Sequence, residues 1–256
     1  MDDVKTILEQ IRANRPKGQV PKYECLKCKD TGMIFRVDEE GHKWARECEC
    51  MAEKLCKRRM LASGLSEDDL NKGFSDFDTQ GIKALEEAKA TTITFVKEFK
   101  QHLTDKNNGI MFMGYAGRGK TLLGLATTNN LIRSGVPVKY MAYRERMTEL
   151  KQTMTKKEVG LSDEVTYSKL MEVYKNIQVL FIDDLFKGKI TESDINIMYE
   201  IINHRYLNKL PIIVSTEYMI NELLNVDEAL GSRIIEMCKG HIIEFTKDIP
   251  NYRLKF

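Results

Sequence analysis

No stretch of this chain approaches the roughly 18 consecutive apolar residues that a membrane-spanning helix needs. The start, Met1-Asp2-Asp3, is acidic with no apolar segment behind it, so no secretory signal is expected. A cytoplasmic protein without membrane contact follows as the expectation. An excess of charge of either sign is missing too: 40 Lys and Arg against 38 Asp and Glu leave a net +2. Such a chain has no overall field that draws in a polyanion, and any nucleic-acid contact has to come from local patches. The six cysteines, in a reducing compartment, do not read as a disulfide framework; they point to metal ligation or to inert core positions. What the 256 residues do contain is 42% apolar side chains, enough for a proper core in one large domain or in a large and a small one.

The most informative stretch is Gly114-Tyr115-Ala116-Gly117-Arg118-Gly119-Lys120-Thr121, which satisfies G-x-x-x-x-G-K-[ST]. Ile110 to Met113 form a short apolar strand ahead of it, bounded by Asn107, Asn108 and Gly109, and Leu122 to Ile132 read as a helix behind it. Strand, glycine loop and helix together make a phosphate cradle. Gly114, Gly117 and Gly119 let backbone N–H groups turn toward phosphate oxygens, and the helix that opens at Lys120 and Leu122 points its positive end the same way. Lys120 then meets the β- and γ-phosphates of ATP, and Thr121 ligates Mg2+; Arg118 and Leu122 complete the nucleotide-binding stretch.

Val179-Leu180-Phe181-Ile182-Asp183-Asp184 is an apolar strand ending in two carboxylates. Downstream of a phosphate loop this pattern assigns Asp183 to Mg2+ and Asp184 to orienting or deprotonating the attacking water. Thr191 with Asp194 caps a helix whose Ile195, Met198, Tyr199 and Ile202 face the core. Val136 to Ala142, Pro211 to Glu217 and His241 to Phe245 read as further strands, and Gly231-Ser232-Arg233 as the opening of a helical stretch. The expected fold is therefore α/β, a parallel sheet flanked by helices. Ser215 or Thr216, at the polar tip of the Pro211 strand, stands where a sensor of the γ-phosphate belongs. Only 256 minus 233, or 23, residues follow Arg233, too few for a helical lid over the nucleotide. A neighbouring subunit is expected to complete the site.

Toward the N-terminus, Cys25-Leu26-Lys27-Cys28 and Cys48-Glu49-Cys50 are two thiol pairs separated by nineteen residues, with strand segments near Met33 to Val37 and Lys43 to Arg46 between them. Four thiolates make a closed, structural Zn2+ site, with His42 or Cys56 as a substitute fourth ligand. So small a segment with few large apolar residues needs such a staple to fold. Val4, Ile7, Leu8 and Ile11 give a short helix one apolar face, for its own domain or for a partner. The helix Met51 to Leu61 carries Lys57-Arg58-Arg59, a solvated face or a contact for DNA or an acidic partner. A boundary near residues 62 to 69 divides a module over 1–62 from an ATPase domain over 63–256. Phe74 and Phe77 either cover adenine or fill core. Tyr143 to Asn176, helices with a loop near Val159 to Asp163, interleaves Arg144, Arg146, Lys151, Lys156 and Lys157 with tyrosines, as single-stranded nucleic-acid binders do, but acidic residues dilute it into what is also an ordinary solvated face.

Taken together, the cysteine pairs, the Lys57-Arg58-Arg59 helix, Phe74 to Phe77, the phosphate loop, the acidic strand and Gly231-Ser232-Arg233 resemble the DnaC and DnaI type of AAA+ ATPase, bacterial and phage replicative helicase loaders, with the insertion-sequence ATPase IstB as a relative. The likeness is greatest to the zinc-bearing loaders of Gram-positive bacteria, their phages and mobile elements. It implies an ATP-dependent loader that grips the replicative hexameric helicase through its N-terminal module, self-associates, and contacts single-stranded DNA through Arg144 to Lys157. It also implies that Arg233 is an arginine finger supplied to a neighbour's ATP. An IstB-like ATPase partner of a transposase shares every one of these ATPase residues. Asp184, where many AAA+ proteins have Glu, reaches less far toward water and implies slow hydrolysis.

Overall fold

The computed structural model describes residues 23–37, 42–155 and 166–254, in two compact units that divide between Lys54 and Leu55. The apolar face at Val4, Ile7, Leu8 and Ile11, the loop near Val159 to Asp163, and Lys156 and Lys157 lie outside the described residues.

The first unit is an antiparallel hairpin of β1 (Met33–Val37) and β2 (Lys43–Glu47), in register from Met33 opposite Glu47 to Val37 opposite Lys43. Every side chain of β2 is exposed, and the buried side chains around the hairpin are Cys28 and Cys48. Sulfur takes the place of an apolar core. Helix α1 (Cys50–Ser63) begins at the last cysteine of the second pair.

The second unit is built on five parallel strands in the order β4-β5-β6-β3-β7: β3 (Ile110–Gly114), β4 (Val138–Ala142), β5 (Val179–Leu185), β6 (Ile212–Thr216) and β7 (Ile242–Phe245). Helices cover both faces, which is why the strands read as continuous apolar runs rather than alternating ones. Along β3 the side chains still divide by the period of two. Ile110 and Phe112 enter one core with Phe95, Leu123 and Phe181, whereas Met111 and Met113 enter the other with Ile182, Ile201 and Val214. The first of these cores is roofed by α3 (Lys83–Glu98) and α4 (Lys120–Arg133). The second is roofed by α5 (Tyr143–Thr155), α6 (Tyr167–Asn176), α7 (Glu192–Leu207), α8 (Ile220–Val226) and α9 (Glu228–Met237). A short helix α2 (Glu67–Leu70) and the turn at Phe74–Asp76 precede α3.

The strand order positions the site. From β3, in the sheet interior, the chain crosses through α4 to β4 at the far edge and then works back to β6, so the C-terminal ends of β3, β5 and β6 open onto one crevice. Open α/β sheets bind ligands at such a reversal. Thr191 and Asp194 form the expected reciprocal cap of α7, Asp194 Oδ2 accepting the Thr191 N–H at 2.8 Å. One helix start differs from expectation: Asp227 caps α9 by accepting the Leu230 N–H at 2.7 Å, so Gly231-Ser232-Arg233 lie inside the helix rather than at its opening. The carboxylate cap, four residues ahead of the glycine, outcompetes it as a start signal.

Candidate functional site

The glycine loop between β3 and α4 turns with positive φ at Gly114, Gly117 and Gly119 (115°, 73° and 94°). All three positions are also closed to side chains: a Cβ on Gly114 would stand 2.3 Å from Phe245 O, one on Gly117 2.0 Å from Asn251 Oδ1, and one on Gly119 2.5 Å from the Phe77 ring. The loop is thus gripped from outside, by Phe77 on one side and by the chain's C-terminal segment on the other. Tyr252 donates its N–H to Gly117 O at 2.9 Å. Arg118 turns away from the crevice and bonds Ile249 O through Nε at 2.7 Å, holding the same segment. The Lys120 ammonium is folded back onto Gly114 O (2.7 Å) and Tyr115 O (2.8 Å). Burial pushes its pKa below the ordinary lysine value, opposed by the carboxylates of Glu217 and Asp184.

At the end of β5, Asp183 Oδ1 accepts from Thr121 Oγ1 at 3.0 Å and from Ser215 Oγ at 2.5 Å, and Oδ2 accepts from the Tyr140 hydroxyl at 3.0 Å. Burial still raises this carboxyl above the usual aspartate range, more than the three donors lower it, and the Asp184 charge adds to the rise. Asp184 adopts φ 55°, and the β5–β6 register shifts between Ile182 and Leu185. The bulge turns Asp184 into the crevice while Asp183 stays under it.

A cavity of about 470 Å3 spans these groups, within the range of small-molecule sites. Phe77, Leu122 and Leu125 give it an apolar end; Gly117, Gly119, Lys120, Thr121, Asp184, Lys187 and Glu217 line the polar end; and Tyr252 and Arg253 close one side. The glycine cradle, the Lys120 ammonium and the adjacent hard oxygens of Thr121 and Asp183 fit a magnesium nucleotide. Ser215 and Thr216 are fully buried. Ser215 is engaged with Asp183, and Thr216 donates to Leu185 O at 3.0 Å, so it is the next residue, Glu217, that reaches the cavity. Arg233 lies elsewhere, on α9 against α7, with Nε bonded to Asn203 Oδ1 at 3.0 Å and its guanidinium 5.2 and 5.6 Å from the Tyr199 and Tyr206 ring centroids.

Sequence reasoning missed Tyr140, Lys187, Glu217, Tyr252 and Arg253. Lys187 and Glu217, each within three residues of a position already singled out, carried the signal of a charge beside a phosphate-binding strand end. Tyr140, Tyr252 and Arg253 carried none. Phe77 falls to core and cavity wall at once, being 2% exposed. In helix α5, Arg146 is paired with Glu149 at 2.6 Å and Lys151 with Asp194 at 2.5 Å, Tyr143 is buried and Arg144 exposed; Tyr174, on α6, is buried as well.

In the first unit, Cys25, Cys28, Cys48 and Cys50 place their sulfurs within 4.8 Å of one another. Cys25 Sγ lies 3.7 Å from Cys48 Sγ, and Cys28 Sγ 3.5 Å from Cys50 Sγ. Tetrahedral thiolates at the usual zinc–sulfur distance of about 2.3 Å stand roughly 3.8 Å apart, so this set fits one such ion. Cys56 packs instead against the apolar core of the second unit.

Residues 44–255 match the family profile described as IstB-like ATP binding protein. The phage-like element PBSX protein XkdC of Bacillus subtilis is 36% identical over 251 residues, 95% of this chain and 90% of that one. A protein named replicative helicase loader DnaC from Buchnera aphidicola subsp. Baizongia pistaciae is 23% identical over 245 residues, 91% of this chain and 94% of its own. Among solved structures, the DnaC helicase loader superposes with a TM-score of 0.57 at 22% identity, over 70% of this chain and 99% of that one, which shows a shared AAA+ fold. No helix among the described residues is long and apolar enough to cross a membrane.

Proposed function

The chain belongs to the IstB-like ATP-binding family, and from that premise we propose that it is an ATP-hydrolysing loader of a replicative hexameric helicase. The observation that carries the ATPase part is the convergence of Lys120, Thr121 and Asp183 at the ends of β3 and β5. Lys120 would leave the Gly114 and Tyr115 carbonyls for the phosphates, a short swing from neutral acceptors to charged ones that strengthens its hydrogen bonds. Thr121 and Asp183 would hold Mg2+, whose charge neutralises that building on the phosphates. Asp184, turned into the cavity, would orient the attacking water. Arg233, absent from the cavity lining of its own chain, would serve the site of a neighbouring subunit, which makes hydrolysis depend on self-association.

The helicase part draws support from the names of relatives over nearly the whole chain and from the four-cysteine cluster. Cys25 and Cys28 lie ahead of residue 44, where the family match begins. A zinc-stapled module over residues 1–62 would attach the helicase, and the ATPase domain over 63–256 would switch between holding and releasing it. Single-stranded DNA would be held by charge around Arg144 rather than by stacking on Tyr143 or Tyr174, which are core residues. The test is co-purification of the full chain with the replicative hexameric helicase of its source cell, with and without ATP, beside the Cys48→Ser variant. Capture that fails in the variant supports the reading. Absence of capture in both nucleotide states refutes it and favours an ATPase partner of a transposase, the other role the family profile fits.

A further inference from the structure

The loop after β5 presents a lysine to the nucleotide cavity by an enforced path. Asp184 and Phe186 both have positive φ, 55° and 63°. The Phe186 ring is fully buried, 5.6 Å from Tyr143 and 6.4 Å from Tyr218 between centroids, both edge-on. With Phe186 anchored inside, the next side chain, Lys187, lines the cavity. Its ammonium lies 2.8 Å from Asp184 Oδ2 and 3.1 Å from Glu217 Oε1, and its N–H bonds Asp184 O at 3.0 Å. Asp184, Lys187 and Glu217 line the same end of the cavity as Lys120 and Thr121.

A lysine bridging two carboxylates occupies the lone pairs that a water-orienting carboxylate needs free. All three side chains are about one-third exposed, so solvent screens the bridge and it is readily exchanged. A terminal phosphate, with three acceptor oxygens and more charge than one carboxylate, is a stronger partner for the same ammonium.

We propose that Lys187 is the group that reads the terminal phosphate, passing from its bridge between Asp184 and Glu217 to the terminal phosphate oxygens when a nucleoside triphosphate enters. This rests on the nucleotide reading above and deepens it. The transfer frees both carboxylates toward the attacking water, so Glu217 is a second water-facing acid beside Asp184. In the step itself the water oxygen bonds to the terminal phosphorus while the bond from that phosphorus to the bridging oxygen breaks. The water proton passes to a carboxylate oxygen of Asp184 or Glu217, and a nucleoside diphosphate and inorganic phosphate result. A diphosphate offers nothing in the terminal position, so Lys187 returns to its bridge.

The test titrates the full chain with ATP and with ADP, in Mg2+, by isothermal calorimetry, comparing wild type, Lys187→Met, Lys187→Arg and Glu217→Gln. Lys187→Met should weaken ATP about tenfold, as the loss of one charge-assisted hydrogen bond does, and leave ADP within about twofold; Lys187→Arg should recover most of the difference. Glu217→Gln, which removes a competitor for the ammonium, should tighten ATP severalfold relative to ADP while slowing hydrolysis. An unchanged ATP-to-ADP ratio in Lys187→Met, or in Glu217→Gln if the methionine variant does not fold, overturns the proposal. Wild-type protein that binds neither nucleotide brings down the nucleotide reading itself, a separate and distinguishable result.

Discussion

The Ser215 hydroxyl donates to Asp183 Oδ1 at 2.5 Å while it accepts the Asp184 N–H at 2.8 Å, so one side chain on β6 fixes both acidic residues at the end of β5. Alanine at 215 leaves the Asp184 N–H without its partner and Asp183 with two donors instead of three. The expected cost is about 1–3 kcal/mol, a fall of several degrees in melting temperature, with hydrolysis reduced at least tenfold and ATP binding retained. Calorimetric melting and a phosphate-release assay check this; unchanged hydrolysis would show that Ser215 does not position the acids.

On the proposed reading, Lys120→Ala would remove two charge-assisted bonds to phosphate, each worth about 1.5–3 kcal/mol, so ATP affinity should drop on the order of 100-fold or more. Nucleotide titration reads it directly.

Acid should weaken magnesium-dependent binding early. Burial raises the Asp183 pKa, so protons compete with Mg2+ at a higher pH than at a solvated carboxylate. The sign for stability runs the other way. The folded chain holds this proton more tightly than the unfolded one, so the contribution is full below the unfolded aspartate pKa of about 3.9 and disappears as pH rises through the folded value. Mg2+ titrations from pH 7 to pH 5, with Asp183→Asn as the reference lacking the proton site, should show the loss of affinity in wild type only.

Chelation should act on one unit. A strong chelator, or Cys48→Ser, should melt the β1–β2 hairpin, which has sulfur where a core would be, and leave nucleotide affinity in the second unit unchanged. Elemental analysis should find one zinc per intact chain. An intact hairpin amide spectrum after zinc removal would argue for buried thiols alone.

Arg233→Ala should bind ATP normally and hydrolyse it at least 100-fold more slowly, in keeping with the scale of arginine fingers. Mixing it with Lys120→Ala should recover activity, because each variant supplies what the other lacks at a shared site. Failure of the mixture to exceed the sum of the two variants would place Arg233 in its own α7–α9 packing instead.

The residues of the phosphate loop and the acidic strand were legible because their chemistry depends on local order: backbone N–H groups need glycines at fixed spacing, and a buried strand must be apolar to its tip. Asp194 was equally legible as a cap, since its partner Thr191 is three residues away. Ser215 illustrates the limit. Its sequence position marked it as a sensor candidate; its hydroxyl is bonded to Asp183 and to the Asp184 N–H, and it is Glu217 that lines the cavity. Likewise the segment after Arg233 gave no sign of its course, yet Asn251, Tyr252 and Arg253 fold back on the glycine loop. Arg205 carried no signal at all: fully buried, it donates to the carbonyls of Tyr174, Lys175, Ile177, Gln178 and Pro211, tying the end of α6 to the starts of β5 and β6. By itself, then, the sequence determined the parallel α/β fold, the glycine loop, the acidic strand and the four-thiol set, all written in short-range spacing and strand periodicity. The tertiary structure decided which polar tips face the cavity, which arginines are structural, and what covers the loop. These depend on contacts between residues up to 174 positions apart, as between Tyr252 and Asp78, whose pairing no local pattern encodes.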